Sequence, residues 1–120
     1  MNNEYTNTVR RDVVSYERGT VHGRAEASWI FDGNTTIETY KAFLRLYNDN
    51  DLPDEYCPRD ILSGEWAGES IPELLGDLLS DNLSIHERDS IYEHYQQGYQ
   101  DGWYDKLEEV SIHMTQDLDA

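Results

Sequence analysis

The stretch SIHERDSIYEHYQQGYQDGWYDKLEEVSIHM, residues 84–114, decides the fold. Within it Ile91, Tyr95, Tyr99, Trp103, Leu107, Val110 and Met114 follow one another at steps of four, four, four, four, three and four, the period of a helix and not of a strand. That stripe is expected to face a core. Glu93, Gln97, Asp101, Asp105 and Glu109 keep the same step two residues out of phase, about 200° around the helix at 3.6 residues per turn. They are expected on the solvent face. Ser84 and Glu87 have the spacing of a capping box, in which each side chain satisfies a free backbone N–H at the helix start. Gly98 and Gly102 interrupt the pattern at a cost of roughly 1 kcal/mol each against alanine, which points to a close backbone approach or a kink.

Working outward, the preceding segments supply two more helix starts. Thr35 and Glu38 repeat the capping-box spacing, and Ile37, Tyr40, Phe43, Leu44 and Tyr47 give one apolar face over 35–48. Ser70, Pro72 and Glu73 open a helix over 70–81 with Ile71, Leu74, Leu75, Leu78 and Leu79 on its apolar side. Between them, 48–68 holds two prolines, two glycines and a run of acids, and reads as an irregular acidic connection anchored by Ile61, Leu62 and Trp66. Residues 1–12 read as a loose polar terminus, Gly19 to Gly23 as a turn, and Arg24 to Phe31 as either strand or short helix. Asp32-Gly33-Asn34 is a turn signal. The expected fold is mainly α, a single domain over 1–120 with three helices near 35–48, 70–81 and 84–114. A short β element in the first 31 residues, making the fold α+β, is the alternative.

A chain of 120 residues suits one core. Leu, Ile, Val and Phe number 25, few for so charged a chain, and nine Tyr with three Trp make up the deficit in buried area. Cys57 is alone, so no intrachain disulfide forms and a reducing compartment is expected; beside Pro58 and Arg59 it reads as an ordinary thiol. The start at Met1 has no basic or apolar leader, and no run of 18 apolar residues occurs, so a cytoplasmic protein is expected.

The formal net charge is −16 and unevenly placed. Residues 1–50 carry seven acids and six bases, whereas 51–120 carry eighteen acids and three bases, Arg59, Arg88 and Lys106. Such a field attracts basic partners and repels nucleic acids and anionic membranes. No phosphate-binding glycine loop, GxSxG elbow or HExxH motif is present. His86 and His94 share the long helix but stand eight residues, about 12 Å, apart, too far for one metal. The acids begun at Asp49 lack the glycine and glutamate of a calcium loop, with Asp54 and Asp60 in those places. No cofactor, metal or catalytic residue is expected.

Acids at i, i+4 and i+8 on a helix stand about 6 Å apart along its axis, close to the spacing of successive phosphates. In size, charge and helix content the chain resembles the small acidic anti-defence proteins of phages and mobile elements that mimic nucleic acid, and Ala27 to Tyr40, ASWIFDGNTTIETY, is similar to small phage proteins. The resemblance implies inhibition of a restriction or CRISPR nuclease of the host by occupation of its basic channel. The residues that would meet such a partner are Asp51, Asp54, Glu55, Glu65, Glu69, Glu73, Asp77, Glu93, Asp101 and Asp105. Two alternatives stand beside it. One is a self-associating adaptor, a homodimer for instance, using Tyr92, Tyr99, Trp103 and Tyr104; the other is a small enzyme with an unrecognised carboxylate site.

Overall fold

The computed structural model describes residues 3–58, 75–79 and 82–119, with side chains over 10–58, 75–79 and 82–117. Three α-helices carry it: α1, Asn3–Ser28; α2, Ile37–Asn48; and α3, Ile85–Asp119. A 3-10 turn, Asp54–Tyr56, follows α2. No strand occurs among the described residues. The fold is mainly α, but α1 occupies the region read from sequence as loose terminus, glycine turn and strand or short helix.

Helix α1 overturns the loose terminus, the glycine turn and the strand, and extends the short helix allowed at Arg24 back to Asn3; its buried face is made of small residues. Ser15, Gly19, Gly23 and Ala27, four residues apart, are the buried positions among the described side chains of α1, whereas Val13 and Val21 are exposed. The hydrophobic pattern therefore pointed away from the real contact. Gly19 and Gly23 face Tyr95, Tyr99 and Trp103 of α3, and Gly98 and Gly102 of α3 face Tyr16 and Thr20 of α1. A Cβ on any of the four would fall inside 3.0 Å of a main-chain carbonyl of the other helix. The approach anticipated at Gly98 and Gly102 is thus real, and it is reciprocal.

Contacts rise together along both helices, from Arg11 with Glu87, through Ser15 with Ile91, to Arg24 with Glu109. The two helices therefore run parallel. Four glycines inside helices forgo roughly 4 kcal/mol of propensity relative to alanine. They allow the backbones to meet, with Cα–H groups against carbonyls at about 0.5–1 kcal/mol per contact and dispersion along the seam. The buried Ser15 hydroxyl adds a hydrogen bond to the Ile91 carbonyl at 2.6 Å. Paired GxxxG segments are familiar from membrane helices, yet no helix among the described residues is long and apolar enough to cross a membrane.

The stripe of α3 is buried as its spacing predicts, with Ile91, Tyr95, Tyr99, Trp103, Leu107 and Val110 in the core and Met114 half-buried. The α3 capping box forms in full: Glu87 N–H donates to Ser84 Oγ at 3.1 Å and Ser84 N–H to Glu87 Oε1 at 3.3 Å. At α2 the cap falls one residue later than the spacing suggests, on Thr36, whose hydroxyl accepts from Thr39 N–H at 3.2 Å. The Asp32 carboxylate closes the preceding turn by accepting from Asn34 N–H at 2.9 Å. Phe43 of α2 anchors an aromatic cluster with Phe31, Tyr47 and Tyr56 at ring-centre distances of 4.8–5.7 Å, while Ile37, expected on the same face, is exposed. The Trp103 indole N–H donates to the Tyr56 carbonyl at 2.8 Å, tying the 3-10 turn to α3.

The helix expected over 70–81 lies mostly outside the described residues, as do Ile61, Leu62 and Trp66. Within that span 75–78 form a turn, with Leu75 fully buried. The molecule is elongated, 57 × 31 × 24 Å with a radius of gyration of 17.4 Å, against roughly 14 Å for a compact chain of this length. Helix α3 sets that long axis.

Candidate functional site

Charge on this molecule is sorted by the parallel helix pair. Arg11, Arg18 and Arg24 lie along the flanks of α1 and meet acids contributed by the rest of the chain. Arg11 sits 3.9 Å from Glu87, Arg18 grips Asp77 through two bonds of 2.5 and 2.6 Å, and Arg24 pairs with Glu109, which Lys106 also approaches at 3.4 Å. The Arg18 guanidinium holds the Asp77 carboxyl below its ordinary range, and Arg24, with help from Lys106, does the same for Glu109. Asp77 is well exposed and Glu109 partly so, and water therefore screens these pairs and keeps their contribution small. Their effect is to fasten much of α1's positive charge to internal partners.

The row expected on the solvent face of α3 divides accordingly. Glu93, Gln97 and Asp105 are exposed, as are Asp89 and Glu108 beside them. Asp101 instead turns toward α1, accepting from Tyr16 Oη–H at 2.5 Å and from Gln97 Nε2 at 2.9 Å. That hydrogen bond, followed by burial, raises the Tyr16 pKa. Glu109 is likewise half-buried against Arg24. The physical reason is geometric: glycines draw α1 so close that its longer flanking side chains reach past the seam to the next row of α3. A regular ladder of carboxylates about 6 Å apart is therefore absent from α3; Glu93 and Asp105 are separated by about 18 Å of helix axis.

Asp51, Asp54 and Glu55 are exposed in the segment after α2, and Asp77 is exposed beside Arg18. Glu65, Glu69 and Glu73 lie outside the described residues. Asp54 and Glu55 line a cavity of about 560 Å³ with Glu26, Trp29, Ile30, Cys57, Tyr99 and Trp103. Glu26 comes from the last turn of α1 and Trp29 from the turn that follows it, a stretch the sequence leaves open between strand and short helix. A smaller cavity of about 300 Å³ lies between Arg24 of α1 and Asp105, Glu108, Glu109, Ile112 and His113 of α3. Cys57 is half-buried, with its thiol 3.6 Å from the Pro53 carbonyl.

The aromatic face considered for self-association does not exist as a surface. Tyr99 and Trp103 are core residues, 0 and 7 % exposed, because α1, with Gly23 opposite both, packs directly over them. Tyr92 is half-buried and Tyr104 about half-exposed. Exposed apolar side chains appear instead at Val13 and Val21 of α1, about 80° apart around it, and at Trp29 in the turn that follows.

His22 is drawn into the helix seam, hydrogen-bonded to the Tyr95 hydroxyl and with Nε2 3.7 Å from Glu26. Burial lowers its pKa. His94 donates from Nδ1 to the Ser90 carbonyl at 2.7 Å. Among the described residues no group of three or more His, Cys, Asp or Glu side chains converges as metal ligands do. Comparison with known proteins finds no matching family model, no characterised relative and no similar solved structure.

Proposed function

We propose that this chain is an acidic binding protein that occupies the nucleic-acid-binding face of a basic partner. The observation that carries the reading is the sorting of charge: α1's Arg11, Arg18 and Arg24 are turned to internal acids, while Asp51, Asp54, Glu55, Glu93, Asp105 and Glu108 are exposed. A net charge of −16 on a body 57 Å long steers it toward basic clefts and away from other polyanions. At about 1.5 Å per residue α3 is roughly 52 Å long, a rigid rod on the scale of some fifteen base pairs at 3.4 Å each. Carboxylates here stand in for phosphates as a field and not as a copied ladder. The favoured partner class is a bacterial defence nuclease, restriction or CRISPR, on the resemblance in size and charge. No catalytic step is part of the proposal.

The test is capture of bacterial proteins on the immobilised chain, followed by separate elution with salt and with duplex DNA. The reading expects a nucleic-acid enzyme released by both. Capture that resists both would overturn it. Exposed Val13 and Val21 favour one second reading, self-association through α1. It expects a dimer in sedimentation that Val21→Asp dissociates.

A further inference from the structure

The larger cavity offers more than diffuse charge. It lies where the end of α1 meets the 3-10 turn and the middle of α3, and its walls combine two kinds of group. Trp29 supplies exposed aromatic surface, with Tyr99 and Trp103 buried beneath; Glu26, Asp54 and Glu55 supply carboxylates; among the described residues no lysine, arginine or histidine lines it. His22 approaches Glu26, with its pKa lowered by burial.

Three further features bear on what would enter. At about 560 Å³ the cavity is within the size range of side-chain and small-ligand sites. Trp29 is 70 % exposed at its edge, an unusual position for an indole in a folded chain. Helix α1 ends here with no basic residue in its last turn, so the negative end of its dipole has no cation of its own. Each feature favours a positively charged, flat group. An ammonium would gain from the carboxylates, but a guanidinium gains from both walls, because it stacks on aromatic rings and forks onto carboxylates.

We propose that this cavity receives an arginine side chain of the basic partner, with Trp29 as the stacking wall and Asp54 and Glu55 as acceptors. The inference rests on the function proposed above and gives that surface an anchor, since a planar cation held between aromatic and acidic groups is a common centre of binding energy. The remaining exposed acids then provide attraction at longer range.

The experiment uses the full chain and no partner. N-acetyl-arginine N-methylamide is titrated while tryptophan fluorescence and amide NMR shifts are followed, with the lysine analogue in parallel at equal ionic strength. Saturable binding of the arginine compound is expected, with shifts at Trp29 and 54–57 and at least five-fold weaker binding of the lysine compound. Trp29→Ala should weaken it about ten-fold, Asp54→Asn should weaken it severalfold, and Glu93→Gln should leave it unchanged. Trp29 and Asp54 are exposed, so their replacement leaves the core intact. Equal, non-saturating responses to both compounds, or an unchanged affinity in Trp29→Ala, would overturn the pocket while leaving a salt-sensitive capture standing. Failure of the capture with a saturable arginine response would overturn the nucleic-acid-face reading and leave the pocket.

Discussion

Gly98→Ala is the perturbation that most sharply separates this helix pair from an ordinary one. On an open helix the change is favourable by roughly 1 kcal/mol. Here the added methyl meets the Tyr16 carbonyl group, with its carbon at 2.9 Å, and the Thr20 amide nitrogen at 3.1 Å. These are main-chain atoms on a regular helix, so no rotamer change relieves the contact and the two axes must part. A gap of roughly 0.5–1 Å forfeits a quarter to a half of each dispersion well along the seam. The same movement stretches the reciprocal contacts at Gly19, Gly23 and Gly102, each worth about 0.5–1 kcal/mol. With overpacking costs of about 1–3 kcal/mol and the propensity gain subtracted, the net loss is about 2–4 kcal/mol. At about 3–5 °C per kcal/mol for a chain of this size, Tm should fall by roughly 10 °C.

Thermal and urea unfolding followed by circular dichroism read the change directly. Gly33→Ala is the internal control, since nothing lies within 4 Å of a Cβ there; it should be neutral or slightly stabilising. Adding Gly19→Ala to Gly98→Ala should cost less than the sum of the two, because the first separation already makes room for the second. A Gly98→Ala variant with an unchanged or higher Tm would refute the close parallel seam.

Three further outcomes follow from particular contacts. Ser84→Ala removes one half of the α3 capping box and should destabilise by about 1 kcal/mol, read as a lower urea midpoint with the slope unchanged. Ser15→Ala deletes the buried bond to the Ile91 carbonyl and should cost about 1 kcal/mol, whereas Ser15→Val should cost more by wedging the seam, a ranking that equilibrium unfolding checks. His22 faces the Tyr95 hydroxyl, the Tyr99 ring and the Glu26 carboxylate, and burial lowers its pKa. The unfolded chain therefore takes up this proton first, starting near pH 6.5, and stability relative to a His22→Gln variant should fall as pH drops through the folded pKa. A constant difference between the two proteins from pH 7.5 to 5 would contradict it.

What the sequence shows well are features with apolar periodicity or local hydrogen-bond chemistry. The stripe from Ile91 to Val110, the Ser84–Glu87 box and the Asp32 turn all appear in the structure as their spacing implies. Helix α1 escapes because its buried positions carry almost no side chain, and glycine is ordinarily a sign of turns. The informative pattern was small residues four apart, Ser15, Gly19, Gly23 and Ala27, matched by Gly98 and Gly102 at the same step. A pair of GxxxG segments separated by a long connection reads as a contact only when the two are considered together. The acidic row of α3 was legible as acids but not as partners of Tyr16 and Arg24, since Tyr16 was assigned to no element and Arg24 opened a stretch left between strand and short helix. The cavity was illegible because its walls come from separate elements, Glu26 from α1, Trp29 from the turn after it, and Asp54 and Glu55 from the 3-10 turn.

The most direct test of the central claim, that exposed carboxylates place this chain on a nucleic-acid-binding face, is the salt dependence of Kd for the captured partner. It is measured between 50 and 200 mM salt for the native chain and for a variant carrying Asp51→Asn, Asp54→Asn, Glu55→Gln, Glu93→Gln, Asp105→Asn and Glu108→Gln. All six side chains are exposed, so the fold should survive their neutralisation. The account predicts that native affinity falls at least ten-fold over this range and is competed by duplex DNA, and that the variant binds weakly with a much flatter salt response. A variant that binds as tightly as the native chain, with both insensitive to salt, would contradict it.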